Sequence, residues 1–596
     1  MRSIGWKLKT SSLVFCSVLA ISAGVAAYAI EKDVADTDAY LLEDSNSLLG
    51  SYLAGRIARG LRDNGAAATY YREALEKDPY SKEILEEAFQ LKVATGKFDE
   101  AGDLAKQLVT REDTHKIASF FLGIDAFHKK DYQTADKRFQ AGGTGPIADL
   151  TAKLARAWIA LARGQSKTAL KLIGESTGTQ TQGSQQIEQI HKAMIADLAK
   201  QRKTAAAIYK KLMDANQRNV RLAVSYARHA AYWGDEALAK TILKPYMESA
   251  NPNPLVQALL AEIDSDQKTA LPVTSPSEGL AEVFQGIGEA LTGDGVIDAG
   301  QIYLQLSLFA KPDYTIAHYA LGELYDQIKN YDVAAVAFEQ VPRKSPLWLN
   351  AQLRKAYDLS SLEKIDDAKA LLQTLITAYP DDMRPYYTLG NLLRGNKEYA
   401  EAVAVYTKAI ERLGPVDKSD WVVYYQRGVC YERIKDWTNA EADLKKALEL
   451  DPGQELALNY LGYSWVDQNL NVKEAMDLIR KAVQKRPNDG YFVDSLGWAY
   501  YRQGDYQQAV KHLERAVELK PDDPVINDHL GDIYWKIGRH LEATYQWKQA
   551  LDLKPEPEDE KKIRKKLETG LVDEPSTRAA LDNKTTPADP QAKQAQ

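Results

Sequence analysis

The sequence predicts an all-α chain folded as an α-solenoid of about fourteen helix-turn-helix units in two blocks. Three recurring slots predict it. A small residue returns, mostly every 34 residues, at Gly55, Gly123, Ala157, Ala193, Ala227, Gly288, Gly322, Ala356, Gly390, Gly428, Gly462, Gly497 and Gly531, with Phe89 in the slot once. Twelve or thirteen residues later comes a second small residue, from Ala67 and Ala101 through Gly300 to Ala509 and Ala543. Four beyond it a bulky side chain often follows, as at Tyr71, Phe139, Tyr209, Phe338, Tyr406, Leu513 and Trp547. Pro79, Pro312, Pro346, Pro380, Pro452, Pro487, Pro521 and Pro555 close many units.

Each slot has a physical reason. Two helices approach closely only where a side chain is tiny, hence glycine and alanine at fixed places. The bulky residue is expected to fill the gap to the next repeat. Proline cannot continue a helix and marks the boundary. A repeat also resolves the length: 596 residues exceed what one core supports, whereas a solenoid packs each unit only on its neighbours. The pattern over about residues 47–555 resembles the tetratricopeptide repeat (TPR) family, most clearly in SLGWAYYRQGDYQQAVKHLERAVELKPDDP, from Ser495 to Pro524. The resemblance implies a right-handed superhelix whose first helices line the concave side.

Along the chain, residues 1–29 have the form of a signal peptide. A basic start with Arg2, Lys7 and Lys9 precedes an apolar run and the small-residue site Ala27-Tyr28-Ala29, with cleavage expected after Ala29. The competing reading is an N-terminal membrane anchor. Cys16 is not placed for lipidation, because Phe15 precedes it within the apolar run. Residues 30–46 are expected to be an acidic mobile arm and 47–263 an N-terminal repeat block. Ser, Pro, Asp and Thr over 264–279 suggest a linker after a lone helix at 254–263. Residues 280–570 form a C-terminal block ending in a capping helix, and 571–596 a disordered tail.

Net charge is −7, and three fewer positive charges without the leader give −10. An acidic chain without a basic stripe is a poor ligand for nucleic acid. One cysteine outside the leader, Cys430, excludes an internal disulfide and fits a buried, inert thiol. The eight histidines are scattered, with no HExxH; neither GxxxxGK[ST] nor GxSxG occurs. GDGVID at Gly293 lacks the oxygen ligands of a calcium loop and suits a tight turn between helices. No metal, cofactor or catalytic residue is therefore expected, and the chain is not expected to be an enzyme. Acid pairs after proline, Asp381/Asp382 and Asp522/Asp523, suit helix capping.

The first-helix face of the last four units carries Tyr425, Tyr463, Tyr491, Asp494, Trp498, Tyr501, Asp528, Asp532 and Trp535, the candidate partner-binding groove. Tyr and Trp recognise partners while losing little rotamer freedom. The acids there suit basic or aromatic segments better than a C-terminal carboxylate. The stretches SLGWAYYRQGDYQQA and INDHLGDIYWKIGRHLEATYQWKQAL resemble bacterial envelope TPR proteins, some of which, as lipoproteins, partner a carboxyl-terminal processing protease and deliver substrates such as cell-wall hydrolases. That resemblance implies a periplasmic, extracytoplasmic adaptor whose partners are proteins or peptides, that protease and its substrates among them. It leaves open peripheral association with the envelope membrane. The alternative is a cell-envelope assembly or polysaccharide-export factor.

Overall fold

A computed structural model of the chain describes residues 47–571 except 113, 175–181, 216–218, 248–252 and 266–267. The leader, the arm and the tail after Leu571 lie outside the described residues. Among those described, all regular structure is helical: thirty α-helices and the short 3-10 turns Lys244–Tyr246 and Lys418–Asp420. Twenty-eight helices form fourteen sequential pairs, from Leu48–Gly60 with Asn64–Lys77 to Pro524–Lys536 with His540–Asp552. The other two are Pro254–Asp264 and Pro557–Thr569. The fold is an α-solenoid, as the repeat predicts.

The small slot works more locally than its spacing suggests. A Cβ on Gly390 would lie 2.4 Å from the Tyr406 ring, one on Gly322 2.5 Å from Phe338, and one on Gly531 2.5 Å from Trp547. Each bulky residue therefore seats on the glycine of its own pair, sixteen residues earlier, rather than bridging to the next repeat as expected. The gap to be filled is the one the missing side chain leaves. Tyr209 also reaches onward, stacking on Tyr226 of the following pair with centroids 5.7 Å apart.

Seven residues after the small slot, every pair turns through one left-handed residue. Six of these positions are glycines, including Gly504 at φ 79°; the others include Arg62, Lys130, Lys329, Lys397 and Lys435 at φ between 60° and 66°. That residue ends the first helix and redirects the chain into the second.

Contacts divide the chain into two compact units, Met1–Ala368 and Lys369–Gln596. The division expected at 264–279 does not fall there. Thr269, Leu271 and Val273 of that stretch are buried. The next pair, Pro276–Gly293 and Ile297–Ala310, packs on the first helices of earlier pairs: Lys82–Ala94, Lys116–His128, Pro146–Ala162 and Gln182–Leu198. Gly279 is pressed on Trp158, where a Cβ would sit 2.3 Å from the indole. Phe309 stacks on Phe121 with centroids 4.3 Å apart. Gln301 Nε2 donates to the carbonyl of Ala94 at 2.9 Å, and the Thr151 and Tyr303 hydroxyls meet at 3.1 Å. Arg221 binds Glu282, Gln285 and Glu289. His191 is buried, which pushes its imidazole down to about 4; neutral, it accepts from Trp158 Nε1 at 3.1 Å. The face that would be the inner groove of the first unit is thus filled by its own chain, with each buried aromatic contributing about 1.5–3 kcal/mol.

Candidate functional site

In the second unit the first helices Trp421–Arg433, Glu455–Asp467, Gly490–Gln503 and Pro524–Lys536 line a groove of about 860 Å³. The starts of the last three are fixed by side-chain caps. Gln454, Asp489 and Asp523 accept from backbone N–H groups of Leu456, Tyr491 and Val525. Of the acid pairs after proline, Asp382 and Asp523 cap their helices, whereas Asp522 pairs with Lys520 at 3.5 Å. Gly428, Gly462, Gly497 and Gly531 press against the second helices, which turns the opposite side of each first helix to the groove. Adjacent helices lie roughly 9 Å apart, so four of them span about eight residues of extended chain.

Six of the nine expected residues line this groove: Tyr463, Tyr491, Asp494, Trp498, Asp528 and Asp532. Three do not. Tyr425 packs edge-on against Tyr460, with centroids 6.0 Å apart. Tyr501 stacks behind Trp498 at 4.7 Å. Trp535 packs on His540 at 4.2 Å, on Trp547 at 5.4 Å and on Gly570. The terminal helix Pro557–Thr569 and the residues after it bring Gly570 onto Trp535, which makes that indole part of the packing rather than of the recognition surface.

The acids are engaged within the chain. Asp494 accepts from His529 Nδ1 at 2.9 Å, and His529 lies flat on Trp498. Burial pushes the His529 imidazole down, but the Asp494 charge and hydrogen bond, with Asp528 and Asp532 behind them, outweigh this and hold it above its ordinary value. Lys566 of the terminal helix donates to Asp528 at 2.8 and 2.9 Å and to Asp532 at 2.8 Å. Trp547 Nε1 donates to Asp532 at 3.0 Å. Burial and the Asp528 charge raise the Asp532 carboxyl, against the pull of Lys566. The acidic face expected to grip basic segments is therefore largely neutralised by Lys566 and His529, which the sequence reading did not single out. The groove keeps the exposed Asp467 at its rim and an aromatic wall of Trp437, Tyr460, Tyr463 and Trp498. Two buried polar atoms in that wall have no hydrogen-bond partner among the described residues: Asn459 Oδ1 and Trp498 Nε1.

Cys430 is fully buried, and burial pushes its thiol up to about 11. GDGVID forms the turn between Pro276–Gly293 and Ile297–Ala310. Among the described residues no His/Cys/Asp/Glu group could hold a metal ion, and no helix is long and apolar enough to cross a membrane.

Paired helices, a glycine-seated ring in many pairs and one left-handed turn per pair define a helix-pair repeat scaffold. The matched repeats are tetratricopeptide repeats: family models described as tetratricopeptide repeat match residues 353–418 and 421–454, and one described as TPR repeat matches 497–538. A TPR repeat-containing protein of Pseudomonas aeruginosa is 29% identical over 197 residues, 33% of this chain and 32% of that protein. Tetratricopeptide repeat protein 13 of Homo sapiens is 30% identical over 178 residues, 28% of this chain and 20% of that protein. The chain thus spans about a third or less of these relatives' lengths. The crystal structure of the APC/C hetero-tetramer Cut9–Hcn1 aligns over 90% of this chain and 98% of that chain, at 13% identity and a TM-score of 0.36. Tetratricopeptide repeat arrays, as a class, hold other proteins.

Proposed function

We propose that the scaffold is an extracytoplasmic adaptor that seats an extended partner segment in the groove of the second unit and presents it to an envelope protease. One observation carries the location of binding. Among the described residues the inner face of the first unit is filled, whereas the groove of the second unit, bordered on one side by Asp559, Lys562 and Lys566 of the terminal helix, keeps space for a segment and has in its wall an unpartnered acceptor, Asn459 Oδ1, and an unpartnered donor, Trp498 Nε1. Both atoms are closed to solvent, so a peptide backbone, with its N–H and C=O, pairs with them only after the wall side chains shift. The aromatic wall suits apolar side chains, and Asp467 suits a basic one. The basic-apolar leader supports the location outside the cytoplasm. The resemblance of the last units to envelope TPR proteins supports the protease.

The test is affinity capture from envelope extracts with the wild-type protein, Trp498→Ala and Asn459→Ala. Both variants lose the bound partner by roughly 30-fold or more in affinity, as for a buried aromatic hot spot, and the wild-type eluate contains a processing protease. An unchanged partner set in both variants overturns the groove, and a protease-free eluate overturns the protease role. Fractionation that finds the protein only in the cytosol overturns the location.

A further inference from the structure

The first described helix, Leu48–Gly60, carries an apolar stripe open to solvent. Leu49, Leu53 and Ile57, at i, i+4 and i+8, are 65%, 46% and 64% exposed, and Leu61 just beyond is 76% exposed. A terminal repeat ordinarily turns a polar face outward. The repeat period shows where this stripe points. Thirty-four residues on, Glu83 and Glu87 occupy the Leu49 and Leu53 positions and face back to the preceding pair, bonded to Tyr52 and Arg59. Leu91 occupies the Ile57 position and is 3% exposed, in one cluster with Ala67, Ala68, Tyr71 and Ala74 of the preceding second helix. The stripe therefore faces the place where a preceding helix belongs.

We propose that residues 31–44 dock on this stripe as a half-repeat, rather than forming a mobile arm. The same period places Val34, Tyr40 and Leu41 at the positions of Ala68, Ala74 and Leu75, which cover the next first helix, while Asp33 and Thr37 stand at the small and bulky slots of Ala67 and Tyr71. It also sets Asp44 and Ser47 at the positions of Asp78 and Ser81. Ser47 and Ser81 both cap their helices, and Asp78 accepts from the Ser81 N–H at 3.2 Å. Six acids and one lysine over 31–44 give this segment a net charge of −5, complementary to the exposed Arg56 and Arg62 beside the stripe. Adjacency in the chain makes the contact intramolecular, with an effective concentration in the millimolar range.

Hydrogen exchange on the full chain tests this, with residues 572–596 as internal reference. Residues 31–44 are expected to exchange at least about tenfold more slowly than their intrinsic rates, and Leu41→Asp abolishes that protection while Asp36→Asn, off the apolar face, leaves it. Intrinsic exchange over 31–44 in the wild-type chain overturns the proposal. So does concentration-dependent dimerisation, or binding to neutral lipid vesicles, that buries Leu53 and Ile57 while 31–44 remains unprotected.

Discussion

The indole of Trp498 lies parallel on the imidazole of His529, with ring centroids 4.0 Å apart and planes 14° apart, and Asp494 holds that imidazole from its edge. Trp498 is thus held between Tyr501 of its own repeat and His529 of the next.

The first prediction concerns this support. Asp494→Asn removes the nearest charge that holds the His529 imidazole up and leaves the burial that pushes it down opposed only by the Asp528 and Asp532 charges. An NMR titration of His529 therefore shows a lower midpoint in the variant than in the wild type. Because the folded value is raised, the pair's stabilisation is complete below about 6.5, the ordinary histidine value, and fades as pH rises through the His529 midpoint.

Asp358 predicts the opposite kind of pH dependence from the one carboxylates usually give. It is fully buried, neither oxygen has a hydrogen-bond partner among the described residues, and burial with the Asp326 charge raises its carboxyl to about 7, against the pull of Arg354. The folded state holds a proton that the unfolded chain releases near pH 4, so this group makes stability fall as pH rises from about 4 through 7. Asp358→Asn is expected to raise the urea midpoint at pH 8, by on the order of 1–3 kcal/mol in stability, and to change little at pH 4.

Lys566→Met leaves Asp528 and Asp532 without their cation. Removing one partner of a buried ion pair costs about 3 kcal/mol or more. The urea midpoint of the second unit falls accordingly, and hydrogen exchange in Pro557–Thr569 accelerates.

The turn slot predicts a stabilising change. Lys130 holds φ at 60°, a conformation that costs a residue with a side chain about 1–2 kcal/mol. Lys130→Gly removes that strain, and after glycine's larger unfolded-state entropy a gain of about 0.5–1 kcal/mol remains.

The glycine slot predicts a destabilising one. Gly531→Ala forces its methyl into the Trp547 ring and lowers stability by about 1–3 kcal/mol. Gly395→Ala meets nothing within 4 Å and is neutral.

The helix pairs were legible in the sequence because the closest approach of two helices admits only Gly or Ala, and that constraint repeats. The turn slot was equally present, in Gly96, Gly164, Gly234, Gly295, Gly504 and Gly538, but lysines at the same position blurred it. The filling of the first unit was not legible. Gln301 meets the carbonyl of Ala94 across 207 residues, a contact that no short-range period announces. At the groove, facing positions on the first helices located Trp498 and Tyr463. They misplaced Trp535 and left Lys566 unseen, because both depend on the terminal segment returning over the last pairs, and left His529 unseen because its partner Asp494 lies 35 residues away on the neighbouring first helix.

The filling has a mechanical consequence. An open helical array behaves as a spring: each unit touches only its neighbours, so load or heat lets it stretch and fray one unit at a time. The pair Pro276–Ala310 ties Lys82–Ala94, Lys116–His128, Pro146–Ala162 and Gln182–Leu198 to one another through a common plug. Residues 82–310 therefore lose the compliance of a coil and yield as a block.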